Sequence, residues 1–332
     1  MRSVTARVYT DGKRLALGAH AVGVHFIGDA ALFALADGTV RNAGAASGFA
    51  VHPEAITACA IHPDRKRLIT GGEDGAVRTV TPEGEIKTLI EPGRKWVGHV
   101  IASAASGVIV AAIGKQAVVL RDDKEAHRFD YPSTIGGLAL DAKGRRLAVS
   151  HYNGVNVRLA LAANDKGTDL KWAGSHLAVT MSPEADYVVS AMQENVLHGW
   201  RLPDKLDLQM TGYPSKTRSF SWNKNGRWLA TSGADRAVIW PFVGKMGPQG
   251  KEPLMLGERQ ALVTAVAFHP SEDILALGYA DGAALAVRLA DQTAIELDEP
   301  GEGAVTALAW SADGALLALG DEAGRGGVVT MT

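Results

Sequence analysis

Ten histidines, one cysteine and 36 Asp and Glu residues are the side chains of this 332-residue chain with the most obvious chemical potential. Two histidines at H-E-x-x-H spacing would make a zinc site, and that spacing does not occur. His62-Pro63 and His269-Pro270 recur at one phase, in a turn after an apolar run, which points to a turn role. No G-x-S-x-G elbow, P-loop or dinucleotide fingerprint is present. The single Cys59 excludes an intramolecular disulfide and a cysteine-based zinc site. It lies in an apolar run and reads as a small buried hydrophobe. The carboxylates fall mainly in tight turns, where an Asp side chain caps backbone N–H groups. These residues favour recognition over bond-making chemistry, and no metal or cofactor is expected.

The elements carrying them repeat. Ile56–Gly71 (ITACAIHPDRKRLITG), Ile135–Ser150 (IGGLALDAKGRRLAVS), Val263–Gly278 (VTAVAFHPSEDILALG) and Val305–Gly320 (VTALAWSADGALLALG) share one plan. Each has an alternating apolar run, a polar turn and a second apolar run; looser copies begin at Val22, Val100, Leu177 and Arg218. The first large apolar residue after each turn marks the period: Leu32, Leu68, Val110, Leu147, Val188, Leu229, Leu275 and Leu317. The mean spacing is about 41 residues, with several strands per unit and no sustained helical periodicity. An Asp-Gly-like turn and a third strand follow each hairpin, as at Asp74-Gly75 and Asp281-Gly282, and then a more variable fourth strand. The pattern predicts an all-β chain, a closed β-propeller of four-stranded antiparallel blades, with eight blades expected and seven the alternative. One propeller should span residues 1–332, with an N-terminal strand, Val4–Tyr9 or Arg14–Ala19, completing the last blade.

These residues resemble the WD-repeat β-propellers over nearly the whole chain, about residues 4–332. That family places a His before the innermost strand, a Ser or Thr in the second strand, an Asp in the following turn and a Trp at the end of the third. The resemblance implies that these four positions form a hydrogen-bonded network. His52, Thr70 and Asp74 match three positions in the second repeat, with Val80 in the Trp slot. Thr231, Asp235 and Trp240 match in the sixth repeat; Trp200 matches in the fifth, where Glu194 replaces the Asp. No repeat keeps all four residues, so the network should be patchy and apolar packing between blades should carry the stability.

Counting sixteen residues back from the markers, to the histidine slot, gives His52, Tyr131, Trp172 and Tyr213; Trp96 lies fourteen before Val110. Five successive repeats thus carry a ring at one phase. Nearby loops carry Arg94, Lys95, Lys115, Lys171, Lys216, Arg218 and Arg236, with His151 and Tyr152. The set expected to bind a partner is Arg94, Lys95, Trp96, Tyr152, Lys171, Trp172, Tyr213, Lys216 and Arg218. Rings would provide apolar anchors and cations would steer an acidic protein. The resemblance implies a non-catalytic protein-interaction scaffold that binds on its loop face. The alternatives are an enzyme or metal site at the central axis, and nucleic-acid binding through a basic half-face. A net charge of −2 and the absence of a basic run argue against nucleic acid. The longest uncharged stretch, Trp96–Gly114, is broken by Gly and Ser and reads as two strands, so no membrane association is expected. Residues 1–13 lack an apolar signal-peptide block, and the expected compartment is the cytoplasm.

Overall fold

A computed structural model describes residues 13–45, 47–244 and 246–331. Among them every regular element is a strand, thirty in all, between three and fourteen residues long. No helix among the described residues is long and apolar enough to cross a membrane. The local cause is the alternation read above: short runs rich in Val, Ile, Leu and Ala, each closed by a turn. Arg65, Asn153, Ala185 and Asn195, with glycines such as Gly38, Gly75, Gly144 and Gly282, take the positive φ that these turns need.

Seven hydrogen-bonded sheets form, six of four strands and one of six. The expected count of eight blades is therefore corrected to seven sheets, the alternative count. The reason lies at the fourth and fifth repeats, where strands Arg146–Leu159 and Thr168–Met181 each run for fourteen residues. Arg146–Leu159 first pairs with Gly137–Leu140 (Leu138↔Val149), then turns at Asn153 and pairs with Thr168–Met181 (Val155↔Leu170). The Ala160 N–H donates to the Arg145 carbonyl at 2.8 Å, which shows that the strand has folded back on itself. Thr168–Met181 continues through Gly174 (φ 115°) to pair with Tyr187–Met192, so no gap in hydrogen bonding separates the two repeats.

The chain divides into two compact units: residues 34–211, and residues 1–33 with 212–332. In the unit of residues 34–211, apolar side chains of each repeat face those of the next. Ile69 and Val77 of the second repeat cluster with Val97, Val100, Ile109 and Val118 of the third. Val110 and Val119 cluster with Tyr131, Leu138 and Leu147 of the fourth. Ala148, Val155 and Leu170 then meet Val179, Val188 and Trp200 of the fifth. The core is thus a series of dry layers between adjacent repeats, each formed because one four-stranded sheet cannot cover its own faces.

In the other unit, Ala230 and Ile239 pack with Val266, Leu275 and Leu277, and Ala276, Ala286 and Leu297 pack with Leu317, Leu319 and Val329. Strand Lys13–Ala16 lies beside Arg325–Thr330, with Lys13↔Val328 and Ala16↔Arg325 in register. Of the two candidate closing segments, Val4–Tyr9 lies outside the described residues. A polar clamp repeats at the second residue of three innermost strands. The hydroxyls of Thr57, Thr264 and Thr306 donate to the carbonyls of Val97, Val305 and Ala21, each on the following innermost strand.

Candidate functional site

The strand register places the network positions. In the second repeat His52 Nδ1 is 2.9 Å from Asp74 Oδ1, and Nε2 is 2.9 Å from Thr70 Oγ1. Sequence reasoning missed Arg78, whose NH1 group donates to Asp74 Oδ2 at 2.6 Å. Burial lowers the His52 pKa, against the opposing pull of Asp74, and the ring is neutral near pH 7.

In the sixth repeat Tyr213 stands in the histidine slot. Its hydroxyl is 2.7 Å from Thr231 Oγ1 and accepts a 2.7 Å bond from Trp240 Nε1. Asp235 is not part of this group; Arg236 holds it through two bonds of 2.8 and 2.9 Å. In the fifth repeat the ring bonded to the second strand is His176, 2.7 Å from Ser190 Oγ, while Trp172 supplies only its carbonyl to His176 Nε2. The fixed sixteen-residue count missed His176 because the innermost strand here extends an outer strand without a break.

The fourth repeat departs from this plan. Its Tyr131 is in the histidine slot and 7% exposed, yet among the described residues the hydroxyl finds no partner at hydrogen-bond geometry. Thr231 lies two residues beyond its marker; in the fourth repeat that position is Val149, which cannot bond the hydroxyl. Trp240 pairs with Leu229; by the same register, fixed by the Ala160–Arg145 bond, Arg158 faces Leu147. Arg158 therefore occupies the Trp slot. Its guanidinium carbon lies 4.1 Å from the Phe129 ring centroid and 5.3 Å from that of Tyr131. A groove of about 840 Å³ opens beside it, lined by Tyr131, Ser133, Tyr152, Arg158, Lys166 and Lys171 among others.

Loops of the unit of residues 34–211 form one rim. The linker entering each repeat bonds to the turn of the preceding one: Gly93 N–H to Asp74 O, Tyr131 N–H to Lys115 O and Ile135 N–H to Gly114 O, all 2.9–3.0 Å. Tyr152 N–H donates to Ser133 Oγ at 2.9 Å, and Gly174 N–H to Asn153 Oδ1 at 3.1 Å. Arg94, Lys95, Trp96, Tyr152, Lys171 and Trp172 lie along this rim. Trp96 is 60% exposed and Tyr152 57% exposed. Trp172 is half-buried, stacked on His198 with ring centroids 3.9 Å apart. In the other unit Lys216 is half-buried, Arg218 is exposed, and Tyr213 is buried with its hydroxyl engaged as above. Tyr213 is therefore a packing residue, with little surface left for a partner.

Among the described residues no group of three or more His, Cys, Asp or Glu side chains is placed to hold a metal ion. Cys59 is half-buried rather than fully buried, and its dry surroundings push the thiol pKa up to about 12, so it is a poor nucleophile near neutrality.

Two family models match segments of this arrangement. The WD domain, G-beta repeat model matches residues 47–79 and 206–240; the anaphase-promoting complex subunit 4 WD40 domain model matches residues 263–331. These segments carry WD40-type repeats, and the strands around them form the blades of an all-β propeller. No curated protein sequence matches it. Solved structures share the fold at low identity. A chain of "Crystal Structure of Mitotic Checkpoint Complex" superposes with a TM-score of 0.69 at 12% identity, over 83% of this chain and 87% of that one. The computationally designed Ika8 protein gives 0.76 at 17% identity, over 94% of this chain and 96% of that one. At such identities the likeness establishes the fold alone, and the propeller's role must be argued from its own surface.

Proposed function

We propose that this propeller is a non-catalytic protein-interaction scaffold whose partner docks on the loop rim of residues 34–211. One observation carries the reading. Two large rings, Trp96 and Tyr152, stand more than half exposed on that rim, near Arg94, Lys95 and Lys171. None of those three cations has an ion-pair partner among the described residues. Exposed aromatic rings supply apolar area at low entropic cost, and unpaired cations steer an acidic surface toward them.

The test is affinity capture with the wild-type chain and a Trp96→Ala/Lys171→Glu variant of matched thermal stability. A protein held by wild type and lost by the variant supports the reading. Equal capture moves the site away from this rim. Capture of nothing, or of nucleic acid removable by nuclease, refutes the scaffold.

A further inference from the structure

The groove of the fourth repeat can be taken further, on the reading that the propeller binds proteins. Its formal charges nearly cancel, but the two signs are not equally available. Each carboxylate has internal donors: Asp169 from Asn156 Nδ2 at 2.6 Å, Asp165 from the Leu159 and Gly167 N–H groups at 2.6 and 2.9 Å, and Asp130 from Gln116 Nε2 at 2.8 Å. Among the described residues the cations have no carboxylate ion-pair partner. Arg158 donates Nε to Asn156 Oδ1 (2.8 Å) and NH2 to the Lys166 carbonyl (3.1 Å). With the Phe129 ring 4.1 Å away, these two bonds fix the guanidinium before any ligand arrives. Among the described residues the ammonium groups of Lys166 and Lys171 make no hydrogen bond or ion pair. The charged groups of the groove without an internal bond are thus cations, whereas each carboxylate is held by at least one internal donor.

Length selects among anions. Gly154, Asn156 and Arg158 alternate onto one face of their strand, and Lys171 pairs with Gly154 on the same sheet face. Lys171 and Arg158 are therefore about 13 Å apart along the strand, at ~3.3 Å per residue. An anion that spans this backbone distance meets both without either side chain leaning toward the other. An extended peptide places side chains four residues apart on one face at the same distance.

We propose that this groove binds an acidic peptide segment in extended form, with one carboxylate on Arg158 and a second, four residues away, on Lys171. Tyr152, exposed on one wall, packs against the segment. Tyr131 acts as a positioning residue beside Arg158, and its unpartnered hydroxyl marks where the usual network was given up for the arginine.

The experiment is fluorescence anisotropy on the full chain with the labelled heptapeptide Gly-Glu-Val-Thr-Val-Glu-Gly. Controls are its double-glutamine analogue, an isomer with adjacent glutamates, and a labelled single-stranded oligonucleotide. The spaced peptide should bind at least about tenfold tighter than each control, and Arg158→Gln or Lys171→Gln should remove about tenfold. Lys171 is exposed, so its variant separates binding from folding. Equal binding of the glutamate and glutamine peptides, no saturable binding, or preference for the oligonucleotide overturns the proposal. Partner capture by a chain that ignores the peptide sinks the groove and leaves the scaffold standing. Groove-dependent peptide binding without any partner does the reverse.

Discussion

Tyr213→Phe isolates the worth of a substituted network. The hydroxyl accepts from Trp240 Nε1 at 2.7 Å and lies 2.7 Å from Thr231 Oγ1, with Tyr213 and Trp240 each 8% exposed. Thr231 retains a 2.9 Å bond to the Val238 carbonyl in the variant, so its loss is partial. Trp240 loses its acceptor and buries a bare N–H, which costs about 1–3 kcal/mol. At roughly 2.1 cal/mol/K per residue, unfolding the whole chain as one transition carries an entropy of about 0.7 kcal/mol/K. A 2 kcal/mol loss then lowers Tm by about 3 °C, and by about twice that if the unit of residues 1–33 and 212–332 melts alone. Calorimetry distinguishes the two cases by the number of transitions. The decisive control is Tyr213→Phe/Trp240→Phe, which removes the donor with its acceptor and should recover at least half of the loss. A single variant within ~0.5 kcal/mol of wild type, or a double variant whose losses simply add, would refute the argument.

The same change should have the opposite sign in the fourth repeat: Tyr131→Phe deletes an unpartnered buried hydroxyl, so it should leave Tm unchanged or raise it by the equivalent of up to ~1 kcal/mol, while weakening groove binding. His52, His99, His176 and His198 all have pKa values lowered by burial. In the unfolded chain they take up protons near pH 6.5, so urea midpoints should fall as pH drops below about 6.5, and a flat profile from pH 7.5 to 5.5 would count against this. At Asp123 burial alone would raise the carboxyl, but bonds from Lys87, Arg67 and His62 outweigh it and hold the pKa far below the ordinary range. Its contribution persists above the unfolded pKa of ~3.9 and is lost as pH falls toward the folded value; Asp123→Asn should cost about 1.5–3 kcal/mol at pH 7 by urea titration and remove that acid dependence.

The sequence was most informative where local chemistry decides structure. Polar turns rich in Gly, Pro, Asp, Asn and Ser fix where the hairpins reverse, so the eight innermost hairpins could be read from one repeated plan. The break between sheets is not local chemistry, and Lys171–Ser175 carries no signal that one strand would serve two repeats. Counting to the histidine slot found Tyr213, because that linker has the usual length, and missed His176, because its linker has none. Asp123 was beyond reach: its partners His62, Arg67 and Lys87 lie 61, 56 and 36 residues away. Thr57, Thr264 and Thr306 were visible in the repeated phrase, but their acceptors lie on the next innermost strand.

The contrast between the fourth and sixth repeats ties these observations to recognition. Both place a tyrosine where the family has a histidine. In the sixth, Thr231 and Trp240 complete a bonded group and the indole fills the space. In the fourth, Val149 and Arg158 take those two positions; the hydroxyl is left bare and a groove of about 840 Å³ opens beside the guanidinium. A buried unpartnered hydroxyl costs on the order of 1–3 kcal/mol, and a valine-to-threonine change at 149 is a short step toward satisfying it. Val149→Thr is therefore the sharper test. If Arg158 and the open groove alone matter for binding, the variant gains stability and keeps its peptide affinity. If the bare hydroxyl also matters, through its place beside the fixed guanidinium, stability rises while affinity falls. A variant that is less stable than wild type would show that Val149 is held by packing in the layer it shares with Leu138 and Leu147, and that the network comparison between repeats does not transfer.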